Sequence, residues 1–266
     1  LFSRVVLSVF MLRFLFCFVF QAEDGIRDRD VSDMIDKPLL SLCVPCYEMS
    51  GVGVKYLSES LSIIRAQECD LSNVEIIVSD HSLDNEIEKC CDNFKDLNIK
   101  YFKNSHGRGS MSANLNNCIK NSSGKYIKPL FQDDFFYNSK SLKHVLNNLE
   151  DTWYAHEYTH LNGDTNAYYN QRTPYSNDNF INGINTLGPP SVIYFINDDN
   201  FFDEKLSYMM DTEFYHRMIM KYGQPTILQS NIPLGVVRTW SGQTTQATTS
   251  HMIDNEHFYI KSKYEK

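Results

Sequence analysis

Cysteine is missing from the second half of this 266-residue chain. The seven present (Cys17, Cys43, Cys46, Cys69, Cys90, Cys91 and Cys118) are odd in number, and none lies beyond position 118. That excludes a disulfide framework and points to a reducing compartment. An excess of basic charge is missing too. The formal net charge is -8, which argues against nonspecific nucleic-acid binding, and no nucleic-acid partner is expected. There is no internal repeat and no low-complexity tract. The glycine-rich stretch Gly107-Arg108-Gly109 matches neither a P-loop nor a dinucleotide fingerprint. What remains is a chain 42% apolar and 13% aromatic, enough for a full core in one large domain or two small ones.

The first 36 residues differ from the rest. Val5 to Phe20 is apolar apart from Arg13, and the charged run Gln21 to Asp36 follows. The apolar run is short for a membrane span and has no small-x-small cleavage site. Its continuation QAEDGIRDRDVS resembles translated sequencing-adapter read-through, so residues 1–36 are read as a leader outside the fold, with a membrane anchor as the lesser alternative. On that reading the true start is missing or close to Met34, and residues 37–266 form a single domain.

Beyond the leader, apolar strands alternate with amphipathic helices. Leu39 to Pro45 reads as a buried strand, followed by a helix marked by Leu57, Leu61 and Ile64. Val74 to Val78 is a second strand ending in Ser79-Asp80. Asp84 then opens a helix with Ile87, Cys90, Cys91 and Phe94 on one side, and Ile99 to Phe102 is a third strand. The turn Ser105 to Ser110 leads into a helix carrying Met111, Leu115, Cys118 and Ile119, and Tyr126 to Phe131 is a fourth strand. Such alternation predicts an α/β fold with a mainly parallel sheet covered on both faces. Farther on, a helix from Ser139, a β-like run Trp153 to His160, a strand Ser191 to Ile196 and a helix Leu206 to Tyr222 are expected. Asn162 to Asn185 reads as a loop or lid, and the last 30 residues are ambiguous.

Acidic residues recur where strands end: Asp80, the pair Asp133-Asp134, and Asp211 with Glu213 farther on. Two ionised aspartates cannot follow an apolar strand inward unpaired, so the chain is expected to surface at Asp133. In an open α/β sheet, the carboxyl ends of the strands are where ligands bind. Carboxylates gathered there suit Mg²⁺ or Mn²⁺, which take oxygen ligands and bridge to phosphates. Two other motifs are decoys. Cys43 and Cys46 lie three apart on a strand and point to opposite faces, so they chelate poorly. His156-Glu157-Tyr158-Thr159-His160 is a literal HExxH, but zinc binding by that spacing needs a helix. On a strand the two histidines lie roughly 13 Å apart.

Taken in order, these motifs resemble the family 2 glycosyltransferases with the GT-A fold, bacterial enzymes that build polysaccharides and glycolipids. Leu42 to Glu48 (LCVPCYE) is similar to the family's first strand and donor loop, which implies that Pro45, Tyr47 and Glu48 contact the nucleotide. VEIIVSDHSLDN is similar to the second strand, with Asp80 at the base and His81 in place of the usual second aspartate. Gly107 to Asn114 resembles the segment beside the diphosphate. Phe131-Gln132-Asp133 falls at the Asp-x-Asp motif. Phe131 replaces its first aspartate, which leaves Asp133 as the direct metal ligand with Asp134 assisting. Gly188 to Phe195 is similar to the acceptor-side segment.

Met209 to Glu213 falls at the catalytic Glu-Asp motif, with Met210 where the glutamate usually stands, Asp211 as the general base and Glu213 in reserve. Arg238, near Trp240, is a candidate for the phosphates or the acceptor. The resemblance implies a nucleotide-binding half (37–137) and an acceptor-binding half (138–266). It also implies a nucleotide-sugar donor (a UDP-sugar foremost), inversion at the sugar, and a saccharide or lipid-linked acceptor. The expected location is cytoplasmic, with peripheral contact at the inner face of the membrane if the acceptor is lipid-linked. The rival readings are a catalytically inactive GT-A domain that binds a nucleotide or partner, and the HExxH zinc protease.

Overall fold

Every residue of the strands Leu40–Cys46 (β1) and Val74–Asp80 (β2) is buried. That is what continuous apolar runs in a sheet covered on both faces should give. The computed structural model describes residues 37–177, 179–243 and 248–265. The leader, residues 1–36, lies outside them. β1 and β2 join Ile99–Lys103 (β3), Tyr126–Pro129 (β4), Trp153–His156 (β6), Ile193–Ile196 (β9) and Thr226–Leu228 (β10) in a seven-stranded sheet of order β10-β6-β9-β4-β1-β2-β3. Pairing is parallel from β4 to β3, and β9 runs antiparallel between β4 and β6. The α/β class and the mainly parallel sheet expected from the sequence are both present.

Alternation along the strands divides the core. Leu42 and Val44 of β1 and Ile76 and Val78 of β2 face one cluster, which is covered by the helices Gly53–Arg65 (α1), Glu86–Asp92 (α2) and Ser141–Leu146 (α4). Cys43 and Ile77 face the other, beneath Met111–Lys120 (α3), Met210–Tyr222 (α5) and Ser250–Tyr264 (α6). Cys43 and Cys46 therefore sit in opposite cores, and the six described cysteines are free thiols.

Three expectations need correction. The run Trp153 to His160 is extended, but it is two strands in different sheets. The chain leaves the large sheet after His156 and enters a four-stranded sheet as Tyr158–Asn162 (β7). That sheet, ordered β5-β11-β7-β8, also holds Phe135–Phe136 (β5), Ala167–Arg172 (β8) and Gly235–Thr239 (β11). β8 lies inside the segment read as a loop. Its side chains are all exposed, so it carries no apolar alternation to betray it. The ambiguous tail supplies β11 and α6, and the helix expected from Leu206 begins only at Met210. Among the described residues, no helix is long and apolar enough to cross a membrane.

At the amino end of the large sheet, the buried Glu75 ties three strands and a turn together. It accepts from Ser41 Oγ (2.6 Å), Lys100 Nζ (2.6 Å), Ser123 N (2.6 Å) and Gly124 N (3.0 Å). Burial alone would raise its pKa, yet these donors hold it below the ordinary carboxylate range. Glu75→Ala leaves buried N–H groups without an acceptor and should cost about 3 kcal/mol in denaturant unfolding. Because the folded pKa is the lower one, this stabilisation is full above the unfolded carboxylate pKa and is lost as pH falls through the folded value. The difference between parent and variant should therefore shrink in acid.

Candidate active site

A cleft of about 340 Å³ opens where β1 and β4 end and α5 begins. Pro45, Tyr47 and Met49 line it from the β1 exit, Phe131, Gln132 and Asp133 from the β4 exit, and Met111 from α3. The opposite wall comes from Asn185, Pro189, Pro190 and Ser207 to Thr212. Asp133 and Asp211, 78 positions apart in the sequence, meet at one cavity.

The β4 exit is fixed by Gln132. It is buried, its Oε1 accepts from Tyr47 N (2.9 Å), and its Nε2 donates to Gly53 O (2.7 Å). The two strand-end loops are thereby locked together. A Cβ at Gly53 would lie 2.3 Å from Tyr47 O, so only glycine allows this approach. The sequence marked the neighbouring carboxylates and gave no sign of this amide. Asp133 is half-buried at the cleft, and its Oδ2 accepts from Trp240 Nε1 (3.0 Å). Burial raises its pKa, with the indole and Arg238 opposing.

Asp134 does not share that place. It is buried behind the cleft beside Lys128, its Oδ1 accepts from Arg238 N (2.9 Å), and burial next to Asp133 pushes it up to about 8. The expectation that Asp134 assists at a metal beside Asp133 is corrected: the turn after β4 directs its carboxylate to the Arg238 backbone and away from the cleft that Asp133 lines. Arg238 is likewise turned inward. Its guanidinium donates to Glu59 (2.7 Å) and to Asp133 O (3.1 Å) and stacks 4.4 Å from the Tyr56 ring. It braces the Asp133 loop from below and does not line the cleft.

The remaining residues expected to contact the donor, Asp80, Asn114, Gly107 and Glu48, do not line the cleft. Asp80 is fully buried. Its Oδ1 accepts from Ser82 N (2.8 Å), and its Oδ2 accepts from Tyr101 Oη (2.8 Å) and Lys103 Nζ (2.9 Å). Burial opposes its ionisation, but these donors win and its pKa is lowered. Asn114 donates to Cys46 O (3.0 Å) and accepts from Ser79 Oγ (2.7 Å), tying α3 to the ends of β1 and β2. Gly107 takes φ +59°, and a Cβ there would lie 2.6 Å from that of Ala113. Glu48 has an exposed side chain, while its carbonyl accepts from Gly51 N and Gly53 N.

On the opposite wall of the cleft, Asp211 sits in the first turn of α5. Its Oδ1 accepts from Thr212 N (2.7 Å) and its Oδ2 from Asn185 Nδ2 (2.6 Å). Burial outweighs both bonds and raises its pKa to about 6. Asn185 also donates to Gly188 O (2.8 Å), so one amide sets both the Asp211 carboxylate and the Pro189-Pro190 wall. Glu213, the reserve base, points away from the cleft. It is buried against Arg217 (2.9 Å), Lys263 (2.8 Å) and Tyr264 (2.5 Å), and despite burial these partners hold its pKa low.

The zinc-protease reading fails on geometry. His156 is buried at the end of β6, with Nδ1 donating to Glu157 O (2.9 Å) and Nε2 lying 3.4 Å from Lys128 Nζ. Burial lowers its pKa to about 3. His160 stands in the other sheet and donates to Asn170 O (3.1 Å). Among the described residues, no three His, Cys, Asp or Glu side chains gather to hold a metal. The half-buried Asp133 carboxylate fits a cation held chiefly by phosphate oxygens and water.

Known proteins share this architecture. The S. aureus TarS fragment 1-349, solved with UDP-GlcNAc, superposes with TM-score 0.60 at 16% identity, covering 79% of this chain and 61% of that one. The mannosyltransferase PcManGT of Pyrobaculum calidifontis, solved with GDP-Man and Mn²⁺, gives 0.53 at 13% identity over 76% of this chain and 57% of that one. At these identities the likeness establishes the GT-A fold. Among curated proteins, uncharacterized glycosyltransferases of Rickettsia prowazekii and Rickettsia felis are 34% identical over 113 residues and 38% over 112. These matches cover 42% and 41% of this chain, which spans only 32% and 17% of those relatives. Residues 41–220, most of the described fold and both aspartates of the cleft, match the glycosyl transferase family 2, and the chain belongs to that family.

Proposed function

We propose that the chain moves a sugar from a nucleoside-diphosphate donor to a hydroxyl of a saccharide or lipid-linked acceptor, with Asp211 as general base. The observation that carries this reading is the meeting of Asp133 and Asp211 in one cleft, from the two halves of the fold. Family membership and the UDP-GlcNAc and GDP-Man complexes of the structural relatives support a nucleotide-sugar donor. A UDP-sugar is the first candidate.

The donor lies along the β1 and β4 exits, beside Pro45, Tyr47 and Asp133, and the acceptor enters past Pro189, Pro190 and Asp211. As the acceptor oxygen attacks the anomeric carbon, its proton passes to the Asp211 carboxylate. The bond from that carbon to the diphosphate oxygen breaks, and the diphosphate departs with the electron pair. A single displacement of this kind inverts the sugar. A pKa of about 6 leaves Asp211 ionised at neutral pH, yet more basic than an exposed aspartate. Asn185 and Thr212 N hold its oxygens in place. Asp133 would hold a Mn²⁺ or Mg²⁺ ion, whose chemistry is to offset charge on the diphosphate.

Three outcomes test the reading. Asp211→Asn should lower kcat by about 10²–10⁴-fold while UDP binding, measured by calorimetry, changes less than threefold. Because the ionised form acts, parent kcat should fall about tenfold per pH unit below about pH 6, and the variant's residual rate should lack that limb. Asp133→Ala should raise the Mn²⁺ concentration for half-maximal turnover by about tenfold or more. Nucleotide binding with no turnover over a broad donor and acceptor panel would instead identify an inactive binding domain.

A further inference from the structure

α5 begins without a cap of its own. Its N-cap position is Met209, whose side chain accepts no hydrogen bond, and a thioether is a poor substitute for the Ser, Thr, Asn or Asp normally found there. Yet the amides just before the helix are not left to solvent. Glu256 of α6 reaches them from 47 positions later in the chain. Its Oε1 accepts from Ser207 N (2.8 Å) and its Oε2 from Met209 N (2.8 Å). Tyr208 N lies within reach of both oxygens, at 3.3 and 3.0 Å. One carboxylate thus serves three consecutive backbone donors. An anion is favoured at this place because a helix amino terminus carries partial positive charge.

The same helix grips α5 a second time. Lys263 and Tyr264 bond to Glu213, two residues after Asp211. The segment held between these grips, Ser207 to Thr212, is the acceptor wall of the cleft. α6 lies wholly outside residues 41–220, the part that matches the family, while the amides and Glu213 that it grips lie inside it.

We propose that Glu256 is a positioning residue for Asp211: its carboxylate, bridging the amides of Ser207 to Met209, sets the turn from which the base projects into the cleft. The proposal rests on Asp211 being the base, and it assigns Glu256 no contact with substrate. It predicts a loss of rate with little loss of donor binding, because the donor side is built from β1, β4 and α3 and is untouched by the brace.

The test uses the full chain carrying Glu256→Ala, with Glu256→Gln as the milder variant should alanine prevent folding. Glutamine keeps one acceptor oxygen and presents an N–H₂ where Met209 N needs the other. Hydrogen exchange of the amides of residues 207–209, read without any substrate, should quicken about tenfold or more in either variant. The control Asp254→Asn, which removes an exposed carboxylate on the same helix, should leave that exchange unchanged. In steady-state kinetics, kcat should fall about tenfold while the donor KM moves less than threefold. Formate added to Glu256→Ala should restore part of both the protection and the rate. Unchanged exchange at 207–209 in a folded variant, or full kcat despite faster exchange, would overturn the proposal. If Asp211→Asn retains full activity, the assignment of the base fails, whereas the exchange result judges the brace by itself.

Discussion

Two adjacent carboxylates in the turn after a buried strand impose the constraint on which the cleft depends. The two carboxylates lie in the turn that follows β4, and two like charges side by side disfavour joint ionisation. The fold separates them. Asp133 goes to the cleft and Asp134 goes inward, where the Arg238 amide and the nearby Lys128 supply what water would have given. The second sheet supplies the partners for this separation. β11 must run past the β4 exit to offer that amide, and in doing so it brings Arg238 beneath the loop and Trp240 onto Asp133. The aspartate expected as a second ligand instead fastens the turn after β4 to the β11 backbone.

The site gathers its polar groups at few points and leaves the rest soft. Met49, Met111, Met209 and Met210 all face the cleft, together with Phe131. Phe131 and Met210 stand where the family resemblance leads one to expect acids, so two charges have been exchanged for polarizable apolar surface. Methionine fills irregular space and adapts to different shapes. The remaining acids carry correspondingly more: Asp211 is oriented by one amide side chain and one backbone N–H, and Asp133 by one indole.

Much of this fold could be read from the sequence, and the reasons are local. β1 and β2 are apolar runs and α1 and α3 carry a helical apolar period, and Asp133 lies shortly after the apolar β4. The unread parts depend on partners remote in sequence. β8 has exposed side chains throughout and is held by backbone pairing to β7. The sheet change at Glu157 leaves no mark, because both strands use the same β-forming residues. Arg238 looked like a free cation, and only the fold shows Glu59 across from it. Gln132 and Asn185 are ordinary amides until the backbone groups they join are known.

The fastening of α5 by α6 has a consequence in time as well as in space. During synthesis the strands β1 to β4 and their covering helices emerge first, and the donor side of the cleft can assemble from them. The amides of Ser207 to Met209 then wait for Glu256, which follows Met209 by 47 residues. A nascent chain thus completes the strands that end at the cleft before the bonds that hold the turn ahead of Asp211 can form.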